Sequence, residues 1–110
     1  MDEQQFRRNV DSAMESLKQS LIRAEDSAEI EVEESGGALK VNFEDPPAIF
    51  VISPNAPVQQ IWISALSTSF KLDWSAATSG FVLAKTGEDL KTLLSRLINE
   101  QLGEQAVSLK

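Results

Sequence analysis

The chain of 110 residues contains no cysteine and no histidine. Disulfides, thiolate chemistry, zinc sites with nitrogen or sulfur ligands and the usual proton-transfer base near neutral pH are thereby excluded. No G-x-S-x-G elbow, P-loop or G-x-G-x-x-G run is present either. Any acid–base chemistry would fall to a carboxylate of strongly raised pKa, and nothing in the pattern places a substrate beside one, so an enzyme is not expected. Long apolar runs are also missing: stretches such as Ala48 to Ile52 fall far short of a bilayer span, and Asp2 and Glu3 stand where a secretory signal would carry basic and apolar residues. The expectation is a soluble, unsecreted protein of one domain covering residues 1–110, with the bacterial cytoplasm the simplest location. A mitochondrial matrix location would require that a presequence had already been removed.

Positive charge is scarce in the first half. Met1 to Asp45 holds 12 acidic and 5 basic residues, whereas residues 46–110 hold 5 of each, so the net charge of −7 lies entirely on the first half. Such a field repels nucleic acid and anionic membranes and attracts cations or basic protein patches.

Apolar residues recur at helical spacing from Gln4 to Ala24, at Phe6, Val10, Ala13, Met14, Leu17, Leu21 and Ala24, which predicts an amphipathic first helix. Glu29-Ile30-Glu31-Val32-Glu33 then alternates strictly. Gly36-Gly37 supplies a tight turn into Leu39 to Glu44, which alternates again, so the two runs read as a hairpin. A third strand follows over Ala48 to Ile52. Ser53-Pro54-Asn55-Ala56-Pro57 reads as a rigid loop, Gln60 to Ser64 as a fourth strand, Phe70 to Trp74 as a fifth and Phe81 to Ala84 as a short sixth. Thr86 is the expected N-cap of a closing helix striped by Leu90, Leu93, Leu94, Leu97, Ile98 and Leu102, with Gly103 as its stop. Uninterrupted strand succession predicts an α+β two-layer sandwich, with two terminal helices packed on one face of an antiparallel sheet of about six strands. Val107 and Leu109 of the tail are expected to tuck against the helices.

Strand alternation sends Ile61 and Ile63 to one face and Trp62 to the other, which predicts an exposed indole and a candidate contact point for a partner. The alternative is a helix over both sheet faces, but Gln60 and Ser64 share the face of Trp62 and neither suits a second core. Lys71 and Lys85 read as surface charges, Lys71 near enough to the tryptophan strand to join its interface. Glu29, Glu31 and Glu33 project from one side of the first strand at ~7 Å intervals. Glu25 and Asp26 precede them, and Asp11 and Glu15 lie one turn apart on the first helix. Two readings stay open for this ridge: weak, exchangeable sites for hard cations such as Ca²⁺, Mn²⁺ or iron, or a solvated acidic edge that keeps the strand from pairing with another chain.

The first helix, Glu29-Ile30-Glu31-Val32, Gly36-Gly37-x-Leu39, Pro57-x-x-Gln60-Ile61-Trp62-Ile63-Ser64, Leu72-Asp73-Trp74 and the closing Gly103-Glu104-x-x-Val107-Ser108 together resemble the frataxin family over nearly the whole chain. The spacing of the acidic helix and strand is most similar to the bacterial, CyaY-like branch. The resemblance implies a non-enzymatic, iron-binding accessory protein of iron–sulfur cluster assembly. Such a protein contacts the cysteine desulfurase and the scaffold and modulates cluster formation. It implies weak, exchangeable Fe²⁺ and Fe³⁺ on Asp11, Glu15, Glu25, Asp26, Glu29, Glu31 and Glu33, and partner contacts at Gln60, Trp62 and Lys71. Where the family carries Asn-x-Gln before the proline, this chain has Ser53-Pro54-Asn55, so Ser53 and Asn55 fall at partner-binding positions. Near the end of the first helix, where the family concentrates acids, stand Lys18, Gln19, Ile22 and Arg23, which shorten the ridge. A monomer is expected, with metal-induced oligomers left open. A ferroxidase that stores iron in oligomers, or a generic acidic interaction module, are the alternative functions.

Overall fold

The computed structural model describes every residue from Met1 to Lys110. Its first helix, α1, spans Glu3–Ala24 and starts at Asp2, whose side chain accepts from the Gln5 N–H at 2.7 Å and so satisfies one of the helix's unpaired donors. Phe6, Val10, Leu17, Leu21 and Ala24 are buried, so the helical stripe legible in the sequence is core. Six strands follow: β1 (Ile30–Ser35), β2 (Ala38–Glu44), β3 (Pro47–Asn55), β4 (Gln60–Ala65), β5 (Thr68–Ser75) and β6 (Gly80–Val82). They pair in sequence order, every neighbour antiparallel. A second helix, α2, spans Leu90–Leu102. Both helices bury their stripes against one sheet face, where Leu39, Val41, Phe43, Phe50, Ile52, Ile61, Ile63, Leu72 and Phe81 complete the core. The α+β sandwich expected from the alternation is the architecture found. No helix is long and apolar enough to cross a membrane.

Turn chemistry sets the register. Gly36 and Gly37 both take positive φ, +59° and +85°, the geometry whose twist matches a two-residue hairpin and which glycine adopts without steric cost. The β4–β5 connection makes the same turn from Leu66 and Ser67, at φ 54° and 60°, without a glycine. Aromatic contacts bind the layers: Phe81 meets Phe6 of α1 edge-on at 6.0 Å between centroids and Trp74 at 5.3 Å.

Three boundaries differ from expectation. Ser53, Pro54 and Asn55 belong to β3, pairing with Trp62, Ile61 and Gln60, and are not a loop. Proline is tolerated there because the β2–β3 ladder has ended at Ile52, leaving no partner for the missing N–H. The N-cap of α2 is Asp89, whose carboxylate accepts from the Thr92 N–H at 2.8 Å, and not Thr86, whose hydroxyl instead bonds Glu88. The sixth strand stops at Val82, since Leu83 turns to bond the Glu88 carbonyl through its N–H at 2.8 Å. Gly103 does close α2, at φ 73°, and Val107 and Leu109 are buried as expected.

Candidate functional site: an outer sheet face and an acidic edge

The face of the sheet opposite the helices carries polar side chains aligned by register. Ser53, Trp62 and Lys71 form one row across β3, β4 and β5, and Asn55, Gln60 and Asp73 form the next. The Trp62 indole N–H donates to Gln60 Oε1 at 2.8 Å, and the Gln60 amide donates to Asp73 Oδ1 at 2.9 Å. Lys71 Nζ lies 4.9 Å from the Trp62 ring centroid, a cation–π contact. The indole is therefore half-buried under its neighbours, a correction to the freely exposed tryptophan expected from alternation, although its face is the outer one. Ser53 and Asn55 flank it from β3, also half-buried. Lys71 is exposed, and Lys85 lies off the sheet in the turn before Thr86.

Three members of this face, Ile49, Val51 and Asp73, escaped the sequence reading. Ile49, 61% exposed, faces outward opposite Asn42, and Val51, half-buried, faces outward between Lys40 and Ser64. Both sit in a continuous apolar run, which conceals the parity that puts Phe50 and Ile52 inside. Asp73 could have been found from the alternation of Lys71 and Asp73 around Leu72.

The acidic residues divide into three settings. Asp11 and Glu15 are exposed on α1, where Gln19 donates to Glu15 Oε1 at 3.1 Å. Glu25 and Asp26 occupy the turn after α1; Asp26 is exposed, whereas Glu25 is half-buried with its Oε2 accepting from the Val32 N–H at 2.8 Å. Glu29 precedes β1, and Glu31 and Glu33 project from its outer face, opposite Asn42 and Lys40. Asn42 Nδ2 donates to Glu33 Oε1 at 2.9 Å. Glu29, Glu31 and Glu44, with Ile30 and Asn42, line an open depression of about 300 Å³. Glu44 is a further carboxylate not singled out from the sequence, although it continues the outward series Lys40, Asn42, Glu44 along β2.

These groups are neighbours and not a preformed chelate: no three carboxylates converge closely enough to hold a metal ion. Because α1 packs on the inner face, its acids approach β1 from one side while Glu31 and Glu33 leave from the other. An oxygen-only donor set of this openness fits a hard cation held by one or two carboxylates and water, hence weakly. The residues that interrupt the ridge have structural partners. Lys18 Nζ pairs with Glu34 Oε1 at 3.3 Å, tying α1 to β1. Arg23 Nη2 donates to the Lys110 carbonyl at 3.0 Å and to Ser20 Oγ at 3.2 Å, while Ile22 is exposed.

This combination of topology, tryptophan row and acidic edge strand can be set beside known proteins. The frataxin-like domain model matches residues 1–104. The chain belongs to the frataxin-like family. Among curated frataxin-family relatives, the iron–sulfur cluster assembly protein CyaY of Pseudomonas aeruginosa is 30% identical over 104 residues, 94% of each chain. The same-named protein of Azotobacter vinelandii is 27% identical over 105 residues, 96% of this chain and 93% of its own. Among solved frataxins, that of Psychromonas ingrahamii superposes over the full length of both chains with a TM-score of 0.82 at 19% identity. Trimeric frataxin of Saccharomyces cerevisiae gives 0.70 at 23% identity, covering 87% of this chain and 80% of its own.

Proposed function

We propose that this protein is a non-enzymatic accessory factor of iron–sulfur cluster assembly, acting in the bacterial cytoplasm. It docks on the cysteine desulfurase and the scaffold, modulates cluster formation, and binds Fe²⁺ and Fe³⁺ weakly on its acidic edge. The observation that carries this reading is the frataxin-like match over residues 1–104, whose relatives bear the name iron–sulfur cluster assembly protein. The geometry is compatible with a division of labour in this proposal. Asp11, Glu15, Glu25, Asp26, Glu29, Glu31 and Glu33 form a negative field that steers a basic partner surface or collects cations, an effect that salt screens. Trp62, held by Gln60 and Lys71 and flanked by Ser53 and Asn55, offers a pre-oriented aromatic anchor, so little side-chain freedom is lost on docking. A ferroxidase centre would require closely spaced carboxylates, and their dispersion here favours exchangeable binding over oxidation.

The test is desulfurase binding and sulfide-release rate with the parent protein, Trp62→Ala and the double reversal Glu29→Lys/Glu31→Lys. Trp62→Ala should weaken binding by ~2 kcal/mol, about 30-fold, as expected of a central aromatic anchor. Its cost in unfolding free energy should stay near ~1 kcal/mol, because the indole lies outside the core. The double reversal should weaken binding strongly at low salt and little at high salt. Unchanged binding by both variants would refute the docking reading. An anaerobic Fe²⁺ titration followed by ¹H–¹⁵N NMR should broaden Asp11, Glu15 and Glu25 to Glu33 selectively; no perturbation at millimolar iron would remove the metal from the proposal.

A further inference from the structure

We propose that the unpaired part of β5 is a docking edge for an extended acidic segment of a partner protein, which adds to the sheet as a strand where β6 stops short. β5 spans Thr68–Ser75, but β6 pairs with it only over Asp73, Trp74 and Ser75. β6 ends there because the Leu83 N–H turns away to the Glu88 carbonyl at 2.8 Å. Leu66 and Ser67 form a two-residue turn, so Thr68 exchanges bonds with Ala65, and Thr68, Phe70 and Leu72 direct their backbone groups at β4. Ser69 and Lys71 therefore aim theirs at the open side. On β1, the outermost strand at the other end of the sheet, the Ile30 and Val32 N–H groups are taken by the Ala28 carbonyl and the Glu25 carboxylate. No such cover meets Ser69 or Lys71, and an uncovered row of this kind is a template for a further strand.

Side chains around this edge select the occupant. A cleft of about 520 Å³ lies between this stretch of β5 and the turn after β6, lined by Ser69, Phe70, Lys71, Leu83, Lys85 and Arg96 among others, with no carboxylate in its wall. Phe70 faces the core side of the sheet, opposite the buried Ile63, yet it is only half-buried, and so is Leu83. An incoming apolar side chain would complete that layer. Lys71 projects from the outer face, where a cross-strand neighbour stands ~5 Å away between Cβ atoms, and Lys85 lies exposed in the turn. Neither lysine is paired with a carboxylate, whereas Arg96 is balanced by Glu88 and Glu100. Asp73, two residues beyond Lys71, is bonded by Gln60 and lies outside the cleft. The cleft wall is thus cationic in a chain of net charge −7. The two-residue period of an antiparallel strand then calls for acid, apolar, acid opposite Lys71, Phe70 and Ser69. The inference goes beyond the accessory function proposed above, and its test uses neither metal nor desulfurase.

The test is a ¹H–¹⁵N NMR titration at low salt, about 20 mM NaCl, with the end-capped peptide Thr-Glu-Val-Glu-Thr, strand-forming residues in that alternation. Its dissociation constant should be on the order of 1 mM, since the contact is far below standard interface size. Ser69, Lys71 and Lys85 should shift most, and at about 10 mM peptide the Ser69 and Lys71 amides should exchange about tenfold more slowly. Thr-Lys-Val-Lys-Thr should bind at least about fivefold more weakly, as should the acidic peptide to Lys85→Glu, the latter difference shrinking in about 0.5 M NaCl. Methylating both glutamate nitrogens of the peptide, which face the edge in this register, should abolish binding. Methylating the valine nitrogen, which faces away, should change it less than about twofold. Equal affinity for the lysine peptide, or indifference to methylation of the glutamate nitrogens, would overturn the proposal. Exchange of Ser69 and Lys71 that slows with protein concentration alone would overturn it too, by giving the edge to a second copy.

Discussion

Asn99→Ala should be among the most damaging single substitutions in this protein, for a reason that lies outside α2. Asn99 is 9% exposed, and its Oδ1 accepts from the N–H groups of Ala106 and Val107, both at 2.9 Å. Its Nδ2 donates to the Val107 carbonyl at 3.0 Å and to Gln105 Oε1 at 3.2 Å. One side chain thus serves three backbone groups of the C-terminal segment, which runs on through Leu109 N–H to Ser95 Oγ at 2.9 Å and through the Lys110 carbonyl to Ser20 at 2.6 Å. At ~1 kcal/mol net per bond the direct loss is roughly 3 kcal/mol. Leaving the buried Val107 groups unpaired would cost more, but the segment has an escape. Burial of the Val107 and Leu109 side chains gives roughly 3–6 kcal/mol together. Ordering five residues costs about 1–2 kcal/mol each. Without Asn99 the balance favours release of the segment, which caps the loss at its total contribution.

The expected destabilisation is roughly 2–4 kcal/mol by denaturant titration at unchanged slope, a melting shift of roughly 10–20 °C. Val107 and Leu109 amides should lose their exchange protection together. A double-mutant cycle decides the mechanism. In a chain truncated after Glu104, Asn99→Ala should cost under about 0.5 kcal/mol, because its partners are already gone. An equal cost in full-length and truncated chains would refute the reasoning and assign the loss to α2 itself.

Replacing Leu66-Ser67 by Asn-Gly should stabilise the fold by about 1 kcal/mol in denaturant titrations, since both residues now bear positive φ without a glycine. Glu88 receives paired bonds from Arg96 at 2.8 and 2.9 Å, which hold its carboxyl below the ordinary range against the opposing effect of burial, with Thr86 adding a further bond. Its contribution is present above the unfolded glutamate pKa and disappears as pH falls through the lower folded one. The stability gap between the parent and Glu88→Gln should therefore be full at pH 7 and close in the acid limb. The gap should stay under about 1 kcal/mol, because Arg96 is partly solvated. Lys18→Glu should tighten Mn²⁺ or Fe²⁺ binding measured by calorimetry while costing under about 1 kcal/mol of stability, as its pair with Glu34 is at the surface. Arg23→Glu should destabilise more than Lys18→Glu, because Arg23 also holds the Lys110 carbonyl.

The fold was legible wherever one period dominated. The α1 stripe, the alternation of Glu29 to Glu33 and of Leu39 to Glu44, and Gly36-Gly37 each admit one local structure, and they agree with one another. The missed boundaries share a different cause, since each was decided by a contact that periodicity does not register. Pro54 continues a strand because β2 happens to end at its side. Asp89 caps α2 in place of Thr86 because residues 83–88 close a turn on themselves, the Gly87 N–H donating to the Leu83 carbonyl at 2.7 Å and the Leu83 N–H to the Glu88 carbonyl at 2.8 Å. The side assignment of Trp62 was readable from parity; its partial cover by Lys71 was not, since that depends on the β4–β5 register. Asn99 and Glu25 carried no local signal, because their partners lie in other elements.

Glu25 shows the same dependence on contacts between elements. At the end of α1 its Oε2 accepts from the Val32 N–H of β1 at 2.8 Å, and about two turns earlier Lys18 pairs with Glu34 of the same strand at 3.3 Å. One residue of the expected acidic ridge and one that interrupts it therefore fasten the same helix to the same strand, so the charge pattern of this edge is set in part by packing and not by a ligand alone.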